Sequence, residues 1–307
     1  MRICSLLPSA TEIAYAIGLG DSIVGVSHEC DYPADAGTKP RLLRTRVDPA
    51  AAPAEIDRQV REIIGRGESI YAVDAGKLGA LEPDLILTQD LCHVCAASPD
   101  DLATALTRFP RPPRVLSLTP RSLEEVWGDI CKVGDATGRQ READALANSL
   151  RRRAGAVGTT AARAGSRPRV LCLEWLDPFY VGGHWVPEMV ACAGGEDVLG
   201  RVGEPSFQVT AEQIAQSRAE VIVVMPCGYN SARAAIECKR EVFPEGWRVL
   251  PAIREGRVFA VDANAYFSRP GPRLADGVEL LAHLFHPELF SSFPAGSFQA
   301  IFGSGGR

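Results

Sequence analysis

At 307 residues the chain is longer than one average domain, and 46% hydrophobic against 23% charged side chains supplies enough apolar material for a sizeable core. A net charge of −5, with no block of like charge beyond Arg151, Arg152 and Arg153, excludes the electrostatic footprint of a nucleic-acid binder. Nine cysteines, an odd number without framework spacing, fit a reducing compartment better than a disulfide scaffold, and no stretch approaches the roughly 18 apolar residues of a membrane span.

The chain opens "MRICSLLPSATEIAYAIG", with one positive charge and a short apolar run that stops at Pro8. A secretory signal needs a longer apolar region, so the expected location is cytoplasmic, and Cys4 lies too near the start to be a lipid-anchor cysteine. "RICSLL" reads as a strand. "SATEIAYAIGLG" reads as a helix, with Ser9 as N-cap, Glu12 at the capping-box position and a glycine stop.

"SIVGVS" is a second strand, and Ile56, Val60, Ile63 and Ile64 form the stripe of an amphipathic helix over 53–66. "PDLILT" and "RVLSLT" read as buried strands. Strands that alternate with helices imply parallel pairing and an α/β fold. From 121 to 153 the apolar residues Leu123, Val126, Trp127, Ile130, Val133, Leu146 and Leu150 keep a helical stripe with no strand beside it. One helix of that length would span about 45 Å, and "RRRAGAVGTTAARAGSRP" then looks like its frayed end and a linker.

Beyond the linker the first half is echoed. "RICSL" and "GLGDSIVG" match "RVLCL" and "CAGGEDVLG", "PDLILTQDLC" matches "AEVIVVMPCG", and "RVLSL" matches "RVFAV". The expected organisation is an N-terminal α/β lobe over 1–120, a backbone helix and linker over 121–166, and a C-terminal α/β lobe over 167–307. Two similar Rossmann-like lobes on one long helix leave a ligand cleft between them, and open parallel sheets bind ligands beyond the carboxyl ends of their strands.

Cys30 in "SHECDYP", Cys92 and Cys95 in "LCHVC", and Cys227 in "VMPCGYN" each follow the end of an expected strand. Together they make a possible four-thiolate site for zinc or an iron–sulfur cluster. A redox dithiol at Cys92 and Cys95 and simple packing as small hydrophobes are the alternatives, and the sequence leaves all three open.

"LLPSATEIAYAIG", "VGVSHECDYP", "LGALEPDLIL", "CAGGEDVLG" and "YFSRPGPR", in this order around the central helical stretch, resemble the cobalamin-binding members of the helical-backbone solute-binding proteins. That family comprises vitamin and metal-chelate receptors of ABC importers, and the resemblance covers roughly residues 1 to 287. It implies a bilobal protein holding a corrinoid against aromatic side chains. By position these are Tyr32, Tyr71, Tyr266 and Phe267, to which the tryptophans Trp175 and Trp185 of "CLEWLDPFYVGGHW" add a stacking wall.

His28, His93 and His184 fall in expected cleft loops, where an imidazole can ligate a metal or the cobalt of a corrinoid. Arg269, in the rigid "SRPGPR" turn, suits the amide or phosphate edge of such a ligand. The resemblance also implies a docking acid on each lobe. Where the second would stand this chain has Ser268.

No Gly-x-Ser-x-Gly, phosphate-binding lysine loop or His-Glu-x-x-His appears, so the sequence offers no catalytic signature. The leading expectation is intracellular binding of a cobalamin-like corrinoid or related metal chelate, for storage, delivery or sensing. A protein with its own thiolate-bound metal centre and an importer receptor are the alternatives.

Overall fold

The computed structural model describes residues 1–89, 99–107, 109–240 and 244–302. The chain divides into two compact units: the first is Met1–Ala51, Glu55–Pro120 and Glu124–Ser149, and the second is Ala52–Ala54, Arg121–Leu123 and the chain from Leu150 onward.

The first unit begins with β1 (Ile3–Ser5), α1 (Pro8–Ala16), β2 (Ile23–Val26) and β3 (Leu43–Thr45). It continues with α2 (Pro53–Gly65), β4 (Tyr71–Val73), α3 (Ala75–Ala80), β5 (Leu85–Thr88), α4 (Pro99–Leu106), β6 (Arg114–Ser117) and α5 (Leu123–Thr137). β2, β1, β5 and β6 form a parallel sheet in that order. β5 is buried along its whole length, as its apolar run predicts. β6 is not: it lies on the sheet edge with mostly exposed residues, which corrects the expectation of a second buried strand. An apolar run alone does not say whether a strand is central or marginal.

α1 starts one residue earlier than its expected cap. Leu7 is the N-cap, Pro8 occupies the first turn and no side chain caps the helix. Proline fits there because its missing N–H would have no partner at that position. Ser9 and Glu12 are therefore buried inside the helix and not a capping box. The capping box occurs instead at the start of the helix Ala211–Gln216, where Thr210 Oγ1 accepts from Gln213 N at 3.2 Å and Gln213 Oε1 accepts from Thr210 N at 2.8 Å.

The single helix expected over 121–153 is two, α5 and α6 (Gln140–Ala161). Gly138, at φ +72°, ends the first, because the left-handed backbone needed there suits glycine. Gly134 then lets α6 come close: a Cβ on it would lie 2.4 Å from Ala143 Cβ. The expected frayed linker is helix as far as Ala161, with Ala154, Val157 and Ala161 buried. The division between the units falls inside α6.

The second unit holds β7 (Arg169–Leu176), β8 (Phe179–Val181), α7 (Val186–Cys192), β9 (Glu196–Asp197), β10 (Phe207–Gln208), α8 (Ala211–Gln216) and β11 (Val221–Val224). After these come α9 (Ser231–Arg240), α10 (Pro251–Arg254), β12 (Val258–Val261), α11 (Ala263–Tyr266), α12 (Leu274–Phe285) and β13 (Phe298–Ala300). β9, β11 and β12 run parallel to β7 in the order β9-β7-β11-β12. This is the order β2-β1-β5-β6 of the first unit, strand for echoed strand. The sequence echo is thus an echo of topology. To it the second unit adds the antiparallel strands β8, β10 and β13.

Each unit has its own core. In the first, Cys4, Leu6, Leu42, Leu78 and Ile86 pack together. In the second, Leu171, Leu173, Ile222, Val224, Trp247 and Val258 form the centre. No helix among the described residues is long and apolar enough to cross a membrane.

Candidate functional site

In the first unit the loops after β1 and β2 are tied together by small polar groups. Thr11 Oγ1, on the first turns of α1, lies 2.8 Å from Ser5 Oγ and 3.1 Å from Cys30 Sγ. Arg41 clamps the loop that carries "SHEC": its Nη1 donates to Ser27 O at 2.7 Å and to Cys30 O at 2.6 Å. The loop thereby holds His28 half-buried, with its ring 5.3 Å from the ring of buried Tyr71. His28 Nδ1 is 3.4 Å from Ser27 Oγ and Nε2 is 3.9 Å from Glu29 Oε1. Burial pushes the imidazole below its usual pKa, against the opposing pull of Glu29. Tyr32 is half exposed.

In the second unit the centre is Glu174. The β7–β8 register shifts between Leu173 and Trp175, the kind of irregularity by which a strand re-aims a side chain. Glu174 accepts from Ser206 Oγ through Oε2 and from Gly183 N at 3.4 Å through Oε1. The 201–206 loop lies against the next residues: His184 N donates to Glu204 O at 2.6 Å, and Gly203 N to His184 O at 3.0 Å. Gly183 is required for that approach. A Cβ there would lie 2.4 Å from Ser206 N and 2.6 Å from Glu204 O. Because both are backbone atoms, no rotamer change relieves the clash, and Gly183→Ala is expected to cost about 1–3 kcal/mol, read as a lower urea midpoint. An unchanged midpoint would show the loop to be free to move away.

His184 stands at φ +51°, half-buried, with its ring 5.5 Å from that of Trp185. Burial, with a smaller contribution from Arg121, lowers its pKa. Trp175 is half-buried, 5.5 Å ring to ring from Tyr229, and its Nε1 donates to Asp177 O at 3.1 Å and, within the same unit, to Pro53 O at 3.2 Å. Tyr229 is itself buried, with Arg233 Cζ 3.8 Å from its ring centre. Tyr266 and Arg269 are half-buried, and Tyr266 Oη lies 3.2 Å from Ser297 Oγ.

Three of the expected stacking residues, Tyr71, Trp185 and Phe267, are core residues instead. Trp185 is 5% exposed and its Nε1 donates to Phe267 O at 2.8 Å, while Phe267 is 2% exposed. A ring so enclosed has no face left for a ligand. Trp185 follows "GGH" at the start of α7, and proximity in sequence to a loop does not distinguish an anchor from a wall.

Two of the four expected thiolate ligands are among the described residues. Cys30 is buried against Thr11 in the first unit and Cys227 is exposed in the second. Cys92, His93 and Cys95 lie outside the described residues. Among the described residues no group of three or more His, Cys, Asp or Glu side chains is placed to hold a metal ion. Sequence reasoning overlooked Arg41, Ser5 and Ser206. Arg41 and Ser206 each reach a separate loop segment and Ser5 is a single hydroxyl tied to the nearby Thr11, which leaves no spacing to detect.

The periplasmic binding protein family matches residues 3–265, most of the chain. The chain belongs to this family. The expected resemblance is met, and members in this form are substrate-binding proteins with two α/β lobes.

Relatives of this periplasmic binding protein include a Bacillus subtilis protein named as an uncharacterized ABC transporter substrate-binding lipoprotein, YvrC. It is 27% identical over 301 residues, covering 94% of this chain and 81% of that protein. The vitamin B12-binding protein of Vibrio parahaemolyticus is 24% identical over 281 residues, covering 90% of this chain and 86% of its own length. Among solved structures, the vitamin B12-binding protein BtuF of Vibrio cholerae aligns with a TM-score of 0.66 at 25% identity, covering 92% of this chain and 96% of that chain. The heme-binding protein RhuT of Roseiflexus aligns with a TM-score of 0.70 at 24% identity over 93% and 97% of the two chains, a likeness of fold.

Proposed function

We propose that this periplasmic binding protein takes a corrinoid of the cobalamin class as its cargo, for hand-over to an ABC permease. The observation that carries the reading is the near full-length similarity to proteins named for vitamin B12 binding. It is supported by the side chains left accessible in each unit. His28 and Tyr32 in the first, and Trp175, His184, Tyr266 and Arg269 in the second, combine flat aromatic surface with a few polar groups. That mixture suits a large planar chelate with an amide-rich rim.

Storage or sensing inside the cell remains a second use of the same binding activity. Heme is the competing cargo, since several proteins of the same fold are named for heme binding.

Calorimetric titration with hydroxocobalamin and, separately, hemin tests the reading. A dissociation constant near or below about 1 μM for hydroxocobalamin, corresponding to roughly −8 kcal/mol, is expected, with hemin weaker. Trp175→Ala is expected to weaken corrinoid binding about tenfold or more, as for an aromatic anchor. Hemin binding without corrinoid binding would move the protein to the heme class, and binding of neither would remove the tetrapyrrole reading.

A further inference from the structure

Four histidines fall among the described residues, and their ring nitrogens are differently engaged. His283 Nδ1 is 2.6 Å from Phe290 O. His286 has Gly194 O at 3.3 Å from Nε2 and Glu288 at 3.7 Å from Nδ1. In His28 both nitrogens face polar neighbours, Ser27 and Glu29. Only the His184 ring, among the described residues, meets its surroundings through stacking and leaves both nitrogens without a hydrogen-bond partner. A half-buried imidazole in that state has a lone pair to give.

The backbone of the same residue is also fixed in place. Its backbone sits in the left-handed region, which few non-glycine residues adopt and which concentrates at functional positions. Two backbone hydrogen bonds to the 201–206 loop hold it there from both sides of the residue, through its own N–H and its own carbonyl. The ring rests on Trp185 at an interplanar angle of 32°, and Trp185 is anchored by its bond to Phe267 O. A loop pre-ordered in this way reduces the ordering cost of binding.

Resting on the corrinoid reading above, we propose that His184 donates an imidazole nitrogen to the open axial face of the metal in the bound chelate. With aquated cobalt(III) the step is a ligand exchange. The cobalt–oxygen bond to water breaks, a cobalt–nitrogen bond forms, the water leaves, and neither oxidation state nor proton count changes. Imidazole is a suitable donor for such a metal. The other ring nitrogen is left for a water or a peripheral amide of the corrinoid.

The test uses the full chain and two variants, His184→Asn and His184→Ala, each mixed with hydroxocobalamin and freed of unbound chelate by gel filtration. Asparagine tolerates the left-handed backbone, so His184→Asn separates loss of the ligand from loss of the loop. The visible spectrum of the bound chelate is compared with free hydroxocobalamin with and without added imidazole. The original chain is expected to give the imidazole-type spectrum. Both variants are expected to retain the chelate with about tenfold or greater loss of affinity, to give the aquated spectrum, and to recover the shifted one when free imidazole is added.

Uptake by the original chain with an aquated spectrum overturns the axial role and leaves corrinoid binding intact. So does a variant whose bound chelate keeps the shift. Failure of all three proteins to retain hydroxocobalamin overturns the functional reading and the axial role together.

Discussion

Trp185→Ala is expected to lower stability by about 3–5 kcal/mol, the range for removing a large aromatic from a core. The side chain is almost wholly enclosed, and its indole N–H satisfies Phe267 O, which the truncation would leave buried without that donor. A urea denaturation curve reads the loss, the midpoint falling with little change in slope. If the midpoint stayed in place while chelate affinity collapsed, Trp185 would be a ligand wall after all. The prediction therefore separates the packing role assigned by the structure from the stacking role suggested by sequence.

Asp197 supplies the second large effect, through pH. Its Oδ1 accepts from Leu199 N at 3.1 Å and Gly200 N at 2.7 Å, but Oδ2 is buried with no hydrogen-bond partner. Burial pushes the carboxyl up to about 6, with the two backbone N–H groups resisting. An unfolded aspartic acid releases its proton near about pH 4, so between those values the folded chain binds more protons than the unfolded one. Stability then falls as pH rises through that window, by about 3 kcal/mol in total.

Asp197→Asn keeps an acceptor for both backbone N–H groups and cannot ionise. Whatever the amide itself costs is the same at every pH. Its stability relative to the parent is therefore expected to rise by about 2 kcal/mol between pH 4 and 7, measured by urea denaturation at each pH. A difference that stays flat across the range would mean that Asp197 is charged and solvated in the folded state.

The architecture was legible because it rests on periodicity. Short apolar runs such as "LILT" and "VIVV" marked strands whatever their place in the sheet, and the order of the echoed segments carried the repeated topology with them. What escaped notice depends on single residues. Gly138 divides the long helix at one left-handed position, and Pro8 displaces the cap that Ser9 would have formed. Strands β8 and β10 hold only three and two residues, too few for any alternation to mark them.

The candidate site was legible only in kind. Loops after strands gave His28, Trp175 and His184 as residues of interest, and each is half-buried. Burial of Trp185 and Phe267 was invisible, because a tryptophan in a glycine-rich stretch reads the same whether its ring faces water or core. Arg41 and Ser206 act across loops whose approach is decided by packing, so no local pattern announces them.

Because the division between the units runs through α6, the protein has no clean place to be cut. A fragment ending at Ser149, or one beginning at Leu150, would each inherit about half of that helix. Isolated helices shorter than about 12–15 residues barely hold together in water. Limited proteolysis of the native protein should therefore spare the boundary, and workers seeking a soluble half for binding studies would do better to keep all of α6 on whichever half they express.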